Sequence, residues 1–496
     1  MLLYADDLAL LASSPEELQQ MLDGLSAFCS HYDMEVNVSK TEVVVFGRQR
    51  YQRPAQFTFL GRDGVRSPVP RSSEFRYLGC VFHKTKGVTA CMSSLAVAGS
   101  WGMWAMRSRC ADHGITGLGM QVHLFNSLVS PILSYCSEVW APALLHSSGR
   151  GPSGVAKALS NDMQVVQFMF LRLLAGRVRK STCKQLLLRE FGCQPLISAW
   201  FAACWSLWDR VVSRPPGDWL FLAMQENRDL SMRALSRPAD QRMQKSLWFW
   251  QLQSLTRTLH AHSGTLGDVP EALVGLHCLE QQDMSLVREA FQAWLYQQRH
   301  DLPANPRTAG SESVVYSTYD SWFAGTPFGE LDMAQPQSWC PDYVHDTAGL
   351  NTVHLASLMR FRLGVHDLRV ATGRCERVDG RALPRQQRLC TFCTADQVED
   401  EFHMAFECDA YASVREHFWY LFDEFGEWQS PRDTVRRDRR CLAEFMQQRQ
   451  ISVAAFVHYC FLARRDPELV HVLLIGADST ASVEESELSE LIEVSS

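Results

Sequence analysis

The chain has 496 residues, which is room for roughly two to four folded units and too long for a peptide or mini-scaffold. With 46% hydrophobic and 21% charged residues the composition is that of an ordinary globular protein, which excludes wholesale disorder, collagen and a simple coiled coil. The formal charge of -7, from 48 Lys and Arg against 55 Asp and Glu, does not by itself announce a nucleic-acid binder.

The chain opens with Met1-Leu2-Leu3-Tyr4 already inside an apolar strand, an unusual start for a domain. From Leu2 to Ala12 an apolar run, Asp6-Asp7 and a second apolar run predict two short strands joined by a tight acidic turn. Ser14-Pro15-Glu16-Glu17 supplies an N-cap serine, a proline at the first helical position and a glutamate three residues after the cap. The helix that follows carries Leu18, Met21, Leu22, Leu25, Phe28, Cys29 and Tyr32 at three- and four-residue spacing, so one face is expected to be buried. Met34 to Val38 and Glu42 to Phe46 read as strands with Asn37, Ser39 and Lys40 at their junction, and Phe75 to Phe82 as a strand pair broken at Gly79.

From about Val88 to Trp208 the pattern is helical, interrupted by a Gly/Ser loop from Leu145 to Gly154. Within it His113 to Ser137 is free of charge and long enough to span a membrane, but Gln121, His123, Asn126 and Pro131 argue against a transmembrane segment. Arg214-Pro215-Pro216-Gly217 marks a break, and Asp301 to Glu312 and Gly325 to Tyr343 read as connectors. Between Arg360 and Arg388 eight arginines face three acids, a local basic strip, whereas Asp478 to Glu493 holds six acids and no base. Sixteen cysteines, many inside apolar helical patterns such as Cys29, Cys136 and Cys204, with no secretory signal, predict a reducing intracellular setting, nucleus or cytoplasm.

Two features carry chemistry. Adjacent carboxylates at a hairpin tip repel each other unless a divalent cation such as Mg2+ offsets the charge, and a pair of cations held by acidic side chains is the device of nucleotidyl transfer. Asp6 would hold metal and Asp7 assist, the plainer alternative being a solvated Asp-Asp turn. The second feature is Cys390-x2-Cys393-x9-His403-x4-Cys408, three thiolates and an imidazole, which is a closed tetrahedral Zn2+ set. A redox Cys-x-x-Cys would leave His403 and Cys408 without a role, and scattered core cysteines are the other alternative.

Tyr4-Ala5-Asp6-Asp7, the capped helix, Val36-Asn37-Val38-Ser39-Lys40-Thr41-Glu42 and Phe75-Arg76-Tyr77-Leu78-Gly79 together resemble, in order and spacing, the second half of the palm of LINE-type (non-LTR) retrotransposon reverse transcriptases. The resemblance implies that Asp6 and Asp7 are catalytic metal ligands, that Lys40 acts near the leaving pyrophosphate, and that Tyr77, Leu78 and Gly79 form the primer-grip turn. It extends more softly to a thumb segment over Leu124 to Trp140, with Pro131, Tyr135, Glu138 and Trp140. It implies a Cys-Cys-His-Cys zinc knuckle behind an Arg-rich helix, with Arg360, Arg362 and Arg388 contacting nucleic-acid phosphates.

The fold class expected is α+β: a truncated palm of short antiparallel strands plus helix, then a mostly helical thumb and connector and a small zinc knuckle. The boundaries expected are palm 1–85, thumb-like helices 86–208, connector 209–345, Arg-rich helix and knuckle 346–415, C-terminal helices 416–474 and acidic tail 475–496. The partners implied are an RNA template and a DNA primer or target. Only three residues precede Tyr4, so the upstream metal-binding aspartate and fingers of the family have no counterpart, and polymerase activity is expected to be lost in this chain. The alternatives are a nonenzymatic zinc-containing nucleic-acid-binding protein derived from the same element, and a reading frame without function.

Overall fold

The computed structural model describes residues 1–46, 56–148, 152–180, 182–235, 245–263, 291, 341–345, 351–422, 442, 445–446, 449–470 and 474. The connector Asp301 to Glu312, nearly all of Gly325 to Tyr343, much of the C-terminal helical segment and the acidic tail lie outside the described residues.

In chain order the elements are β1 (Leu2–Tyr4), β2 (Asp7–Ala9), α1 (Pro15–His31), β3 (Phe57–Leu60), β4 (Arg66–Val69), β5 (Glu74–Tyr77), β6 (Cys80–His83) and α2 (Val88–Asp112). There follow α3 (Leu118–Leu124), α4 (Ser130–Leu133), α5 (Ser137–Ser148), α6 (Pro152–Ala158), α7 (Asp162–Leu174), α8 (Lys184–Glu190), α9 (Leu196–Val212), α10 (Trp219–Leu235) and α11 (Trp248–Ser263). The last are α12 (Asp342–His345), α13 (Thr352–Arg362), α14 (Arg369–Thr372), β7 (Arg377–Val378), β8 (Arg381–Ala382), α15 (Ala412–His417) and α16 (Gln450–Arg465). Among the described residues the chain is helix-rich, with strands only as antiparallel pairs: β1–β2, β3–β4, β5–β6 and β7–β8. It divides into two compact units, one of Met1–Met106, Phe125–Val166 and Leu196–Trp294, the other of Arg107–Leu124, Gln167–Pro195 and Leu295–Ser496.

In the first unit, α1 starts where the sequence predicts. The Ser14 hydroxyl accepts the Glu17 amide at 3.1 Å, and the Glu17 carboxylate accepts the Ser13 amide at 2.7 Å. Its buried stripe is narrower than the spacing suggests, because Leu22 and Cys29 are enclosed while Phe28 and Tyr32 are exposed and rest on each other at 4.6 Å. α1 covers the β3–β4 hairpin, enclosing Leu22, Val43, Phe57, Phe59 and Val69, with Leu18 and Leu25 packed around them. Gln19 clamps the hairpin, its amide nitrogen donating to Thr58 O at 2.8 Å and its amide oxygen accepting Thr58 N–H at 3.0 Å. Ser26 adds a bond to Leu60 O at 2.5 Å.

Two expectations in this stretch are corrected. Met34 to Val38 and Glu42 to Phe46 do not form strands: Val38–Lys40 is one 3-10 turn, and Val43 makes an isolated bridge to Arg71. Asn37 diverts the chain, its side-chain oxygen accepting from Lys40 N at 3.3 Å and from the Ser39 hydroxyl at 2.6 Å, a local alternative to a ladder. The Gly/Ser loop is also shorter than Leu145 to Gly154, since α5 runs through Ser148 and α6 starts at Pro152.

Also in the first unit, α5, α9 and α11 pack together around tryptophans. On α9 Leu196, Ile197, Trp200, Phe201, Cys204, Trp205, Trp208 and Val211 recur at helical spacing and are all buried. Trp200 meets Trp140 edge to face at 5.0 Å and donates to the Ser134 hydroxyl at 3.0 Å. Among the described residues no single helix is long and apolar enough to cross a membrane; the bent pair Leu118–Leu133 and Ser137–His146 reaches that length and apolarity only together, across an 87° break.

In the second unit α16 lies along α13, burying Val453, Phe456, Val457 and Cys460 with Leu355, Leu358, Met359 and Phe361. Arg362 is sealed in this unit, its Nε at 2.7 Å and Nη2 at 3.2 Å from the two carboxylate oxygens of Glu190, which also receives the Tyr343 hydroxyl.

Candidate functional site

Asp6 sits in the two-residue connection of the β1–β2 hairpin and Asp7 opens β2 opposite Tyr4. Ala5 takes a left-handed backbone (φ +52°) to close the turn. Asp6 and Asp7 are exposed, and so are Leu2, Leu3 and Tyr4 on β1. Among the described residues no third histidine, cysteine or carboxylate comes close enough to Asp6 and Asp7 to complete a metal cage with them. Lys40 ends the Asn37-capped turn on the surface.

Tyr77, Leu78 and Gly79 fall where the sequence puts them, at the β5–β6 connection, with Tyr77 paired to Cys80. The two central residues, Leu78 (φ +47°) and Gly79 (φ +82°), are both left-handed, the backbone of a tight hairpin whose twist suits its strands. Leucine resists that backbone, and a partner holds it there: the Tyr135 hydroxyl donates to Leu78 O at 2.6 Å. A methyl group added at Gly79 would meet the Tyr135 ring at 3.0 Å. Tyr135 itself stands in the corner between α4 and α5, where Cys136 is left-handed (φ +52°) and the Trp140 indole donates to Tyr135 O at 2.8 Å. Charge on Cys136 is the largest cause raising the Tyr135 pKa; Tyr4 is also within electrostatic range of its hydroxyl. Tyr135 belongs to the segment that resembles a thumb, but nothing in its spacing foretold that it would hold the turn.

Cys390, Cys393, His403 and Cys408 converge, with one ligand atom from each lying within 4.8 Å of every other. Cys390 Sγ is 3.8 Å from Cys408 Sγ, and Cys393 Sγ is 3.3 Å from His403 Nε2. The Leu389–Val398 bridge and the Cys390 N–H bond to Gln397 O at 2.7 Å close the first loop, and Phe392 N–H points at Cys390 Sγ at 3.4 Å. His403 and Cys408 bracket one wide helical turn, with Cys408 N–H donating to His403 O at 2.8 Å. His403 Nδ1 faces the oxygens of Gln397 at 3.1 Å and Glu407 at 3.3 Å, both acceptors, which leaves the Nε2 lone pair for a metal. The buried Arg415 guanidinium donates to Cys408 O at 2.6 Å and Met404 O at 3.3 Å.

Burial pushes the Cys408 thiol far up, against the neighbouring amide, so a bare thiolate is unfavourable there and a divalent cation would reverse the balance. At His403 burial opposes charge, but hydrogen bonds to Glu407 and Cys390 outweigh it and the ring pKa stands above its ordinary value. Three soft sulfurs and one oriented imidazole nitrogen fit a structural Zn2+. Glu407 is four residues from His403, a spacing that could have marked it as the orienting carboxylate.

The arginine strip is corrected by its burial. Arg362 is 1% exposed and bound to Glu190, out of reach of any phosphate. Arg388 spends its guanidinium on Leu383 O at 2.8 Å and Val370 O at 2.9 Å, and Arg360 donates to Gly176 O at 3.0 Å. Of the acids just before His403, Asp400 takes one more arginine of the strip, Arg385 at 2.9 Å, while Glu399 pairs with Arg464 and Glu401 with His366 at 2.9 Å. The arginines left exposed, Arg377 and Arg381, lie on the β7–β8 hairpin.

Residues 1–82, from the start of the acidic hairpin to β6, match the family described as reverse transcriptase (RNA-dependent DNA polymerase). The N-terminal segment is reverse-transcriptase-like. Over 173 residues the chain is 30% identical to an uncharacterized transposon-derived protein of Caenorhabditis elegans, covering 35% of this chain and 55% of that protein. The chain thus spans about half the length of the curated relative it matches. No solved structure matches it. The reverse-transcriptase-like segment contains Asp6, Asp7, Lys40 and the Tyr77-Leu78-Gly79 turn, whereas the Cys/His cluster lies beyond it.

Proposed function

We propose that the chain is the primer-handling and zinc-binding portion of a LINE-type retrotransposon reverse transcriptase, binding an RNA template paired with a DNA primer without extending it alone. The observation that carries the reading is the Tyr4-Ala5-Asp6-Asp7 hairpin inside a segment that matches reverse transcriptases. In that role Asp6 and Asp7 bind Mg2+, Lys40 faces the leaving pyrophosphate, and the Leu78–Gly79 turn supports the primer end. Two carboxylates on one turn do not close a two-metal cage, so nucleotidyl transfer needs a further carboxylate beyond the described residues or from another chain. Cys390, Cys393, His403 and Cys408 hold Zn2+ as a structural clamp, and the exposed Arg377 and Arg381 take phosphate contacts in place of the buried Arg362.

The test is binding and nucleotide incorporation measured on the same preparation, with an RNA template and annealed DNA primer in Mg2+. Salt-sensitive binding with one zinc per chain and no incorporation is expected. Incorporation abolished by Asp6→Asn would show a complete polymerase and remove the claim that this chain does not extend primers. The second reading, a nonenzymatic zinc-containing nucleic-acid-binding protein derived from the same element, is favoured by the open acidic site. Binding to single-stranded RNA with no preference for a primer end would select it.

A further inference from the structure

We propose that His354 and His458 form a second metal site, a two-imidazole clamp for a divalent first-row transition ion that fastens α13 to α16. Neither residue belongs to the Cys390, Cys393, His403 and Cys408 set. Both are half-buried where the two helices pack, His354 one turn before Ser357 on α13 and His458 near the middle of α16. Their ring centres lie 4.8 Å apart, with the planes 38° from parallel. Two imidazoles that share an ion at about 2.0–2.1 Å from each nitrogen, at an angle between right and tetrahedral, have ring centres about 4.5–5 Å apart. The spacing in this unit therefore suits a shared ion without parting the helices.

The hydrogen bonds leave free the nitrogens that such an ion needs. The Ser357 hydroxyl donates its one proton to Val353 O at 3.1 Å, so its oxygen accepts from His458 Nδ1–H at 2.9 Å. That tautomer puts the lone pair on Nε2, and the hydroxyl orients the ring as an outer partner does in a metal centre. Among the described residues no hydrogen bond occupies the ring nitrogens of His354. Burial lowers both imidazole pKa values, that of His458 to about 4, so at neutral pH protons do not compete for the lone pairs. Arg465 adds positive charge near His458 but is itself paired with Asp367 at 2.9 Å, which offsets the repulsion an incoming ion would meet. Tyr459 stands 5.9 Å from both rings with its phenol held protonated by burial, so water completes the coordination. Imidazole and water together select Zn2+, Ni2+ or Cu2+ over Mg2+ and Ca2+. The site does not rest on the function proposed above.

The test adds Ni2+, which does not oxidise thiols, to the full chain already given one equivalent of Zn2+. Binding of one Ni2+ per chain is read by titration calorimetry and by a rise in melting temperature at neutral pH. Both signals should be lost in His354→Gln and in His458→Gln, and Ser357→Ala, which keeps both rings, should weaken binding by about tenfold. In the unaltered chain Ni2+ should protect both histidines from diethylpyrocarbonate, mapped by mass spectrometry, a readout that needs no variant to fold. Unchanged Ni2+ affinity in either histidine variant, no Ni2+ uptake by the unaltered chain, or protection of only one ring would overturn the proposal. None of these measurements uses nucleic acid, so they succeed or fail separately from the proposed function.

Discussion

An arginine's worth depends on its partners. Arg362 is enclosed with a carboxylate that accepts two of its nitrogens, so truncation strands the Glu190 charge in the interior. Arg362→Ala should cost about 3–5 kcal/mol, read as a fall in denaturation midpoint. The double variant Arg377→Ala/Arg381→Ala should leave that midpoint in place and flatten the salt dependence of RNA binding by up to about two counterions. An unchanged salt slope would take the β7–β8 hairpin out of the nucleic-acid surface. His458 supplies a pH-dependent term in the same unit. Burial pushes it down to about 4, with His354 and Arg465 adding positive charge nearby, and its Nδ1 lies 2.9 Å from the Ser357 hydroxyl. The unfolded chain takes up this proton near 6.5 and the folded chain only near 4, so the unfolded state binds more protons between these values. The contribution is intact above 6.5 and lost as pH falls toward 4, by at most about 3 kcal/mol. Urea titrations across that range should show the decline, and His458→Gln should make it shallower.

At the scale of elements the β5–β6 connection is a sharp test, because two left-handed residues and one tyrosine specify it. Gly79→Ala places a methyl group on a φ of +82° and against the Tyr135 ring, which should destabilise by about 1–2 kcal/mol. Tyr135→Phe keeps the ring and deletes the bond to Leu78 O, for about 0.5–1.5 kcal/mol. If Gly79→Ala were neutral by thermal melting, the turn would have another conformation available. This hairpin was legible because its signal is local: glycine stands between two apolar runs. The cap of α1 was legible for the same reason, and so was the Cys/His spacing. The β3–β4 hairpin is hard to see in sequence although Phe57 and Phe59 alternate and Gly61 and Gly64 bracket a turn, because Pro68 inside β4 reads as a break. Residues 34–46 misled through apolar alternation that Asn37 overrides with its own side chain. Basic composition between Arg360 and Arg388 was visible, but which arginines are neutralised depends on Glu190, Glu376, Asp400 and backbone carbonyls brought in by folding.

For the whole molecule the governing fact is that each compact unit is assembled from separated stretches of chain, so a ligand set that closes one loop can stabilise sequence far from itself. The Cys/His cluster fixes Cys390 to Cys408, the acids Glu399, Asp400 and Glu401 fan out from it to Arg464, Arg385 and His366, and Arg415 ties Cys408 O to α15. A metal bound there would therefore supply folding energy to the surrounding segments as much as to the loop. Chelation of the purified protein should raise hydrogen exchange across residues 369–422 and at the Arg464 end of α16. It should leave the α1 and β3–β4 amides unchanged, since Leu22, Phe57, Phe59 and Val69 close their own core. Cys408→Ser should reproduce the effect without chelator. Exchange that stays flat in both segments after zinc removal, with loss of metal verified by mass, would reduce the cluster to buried thiols that happen to meet a histidine.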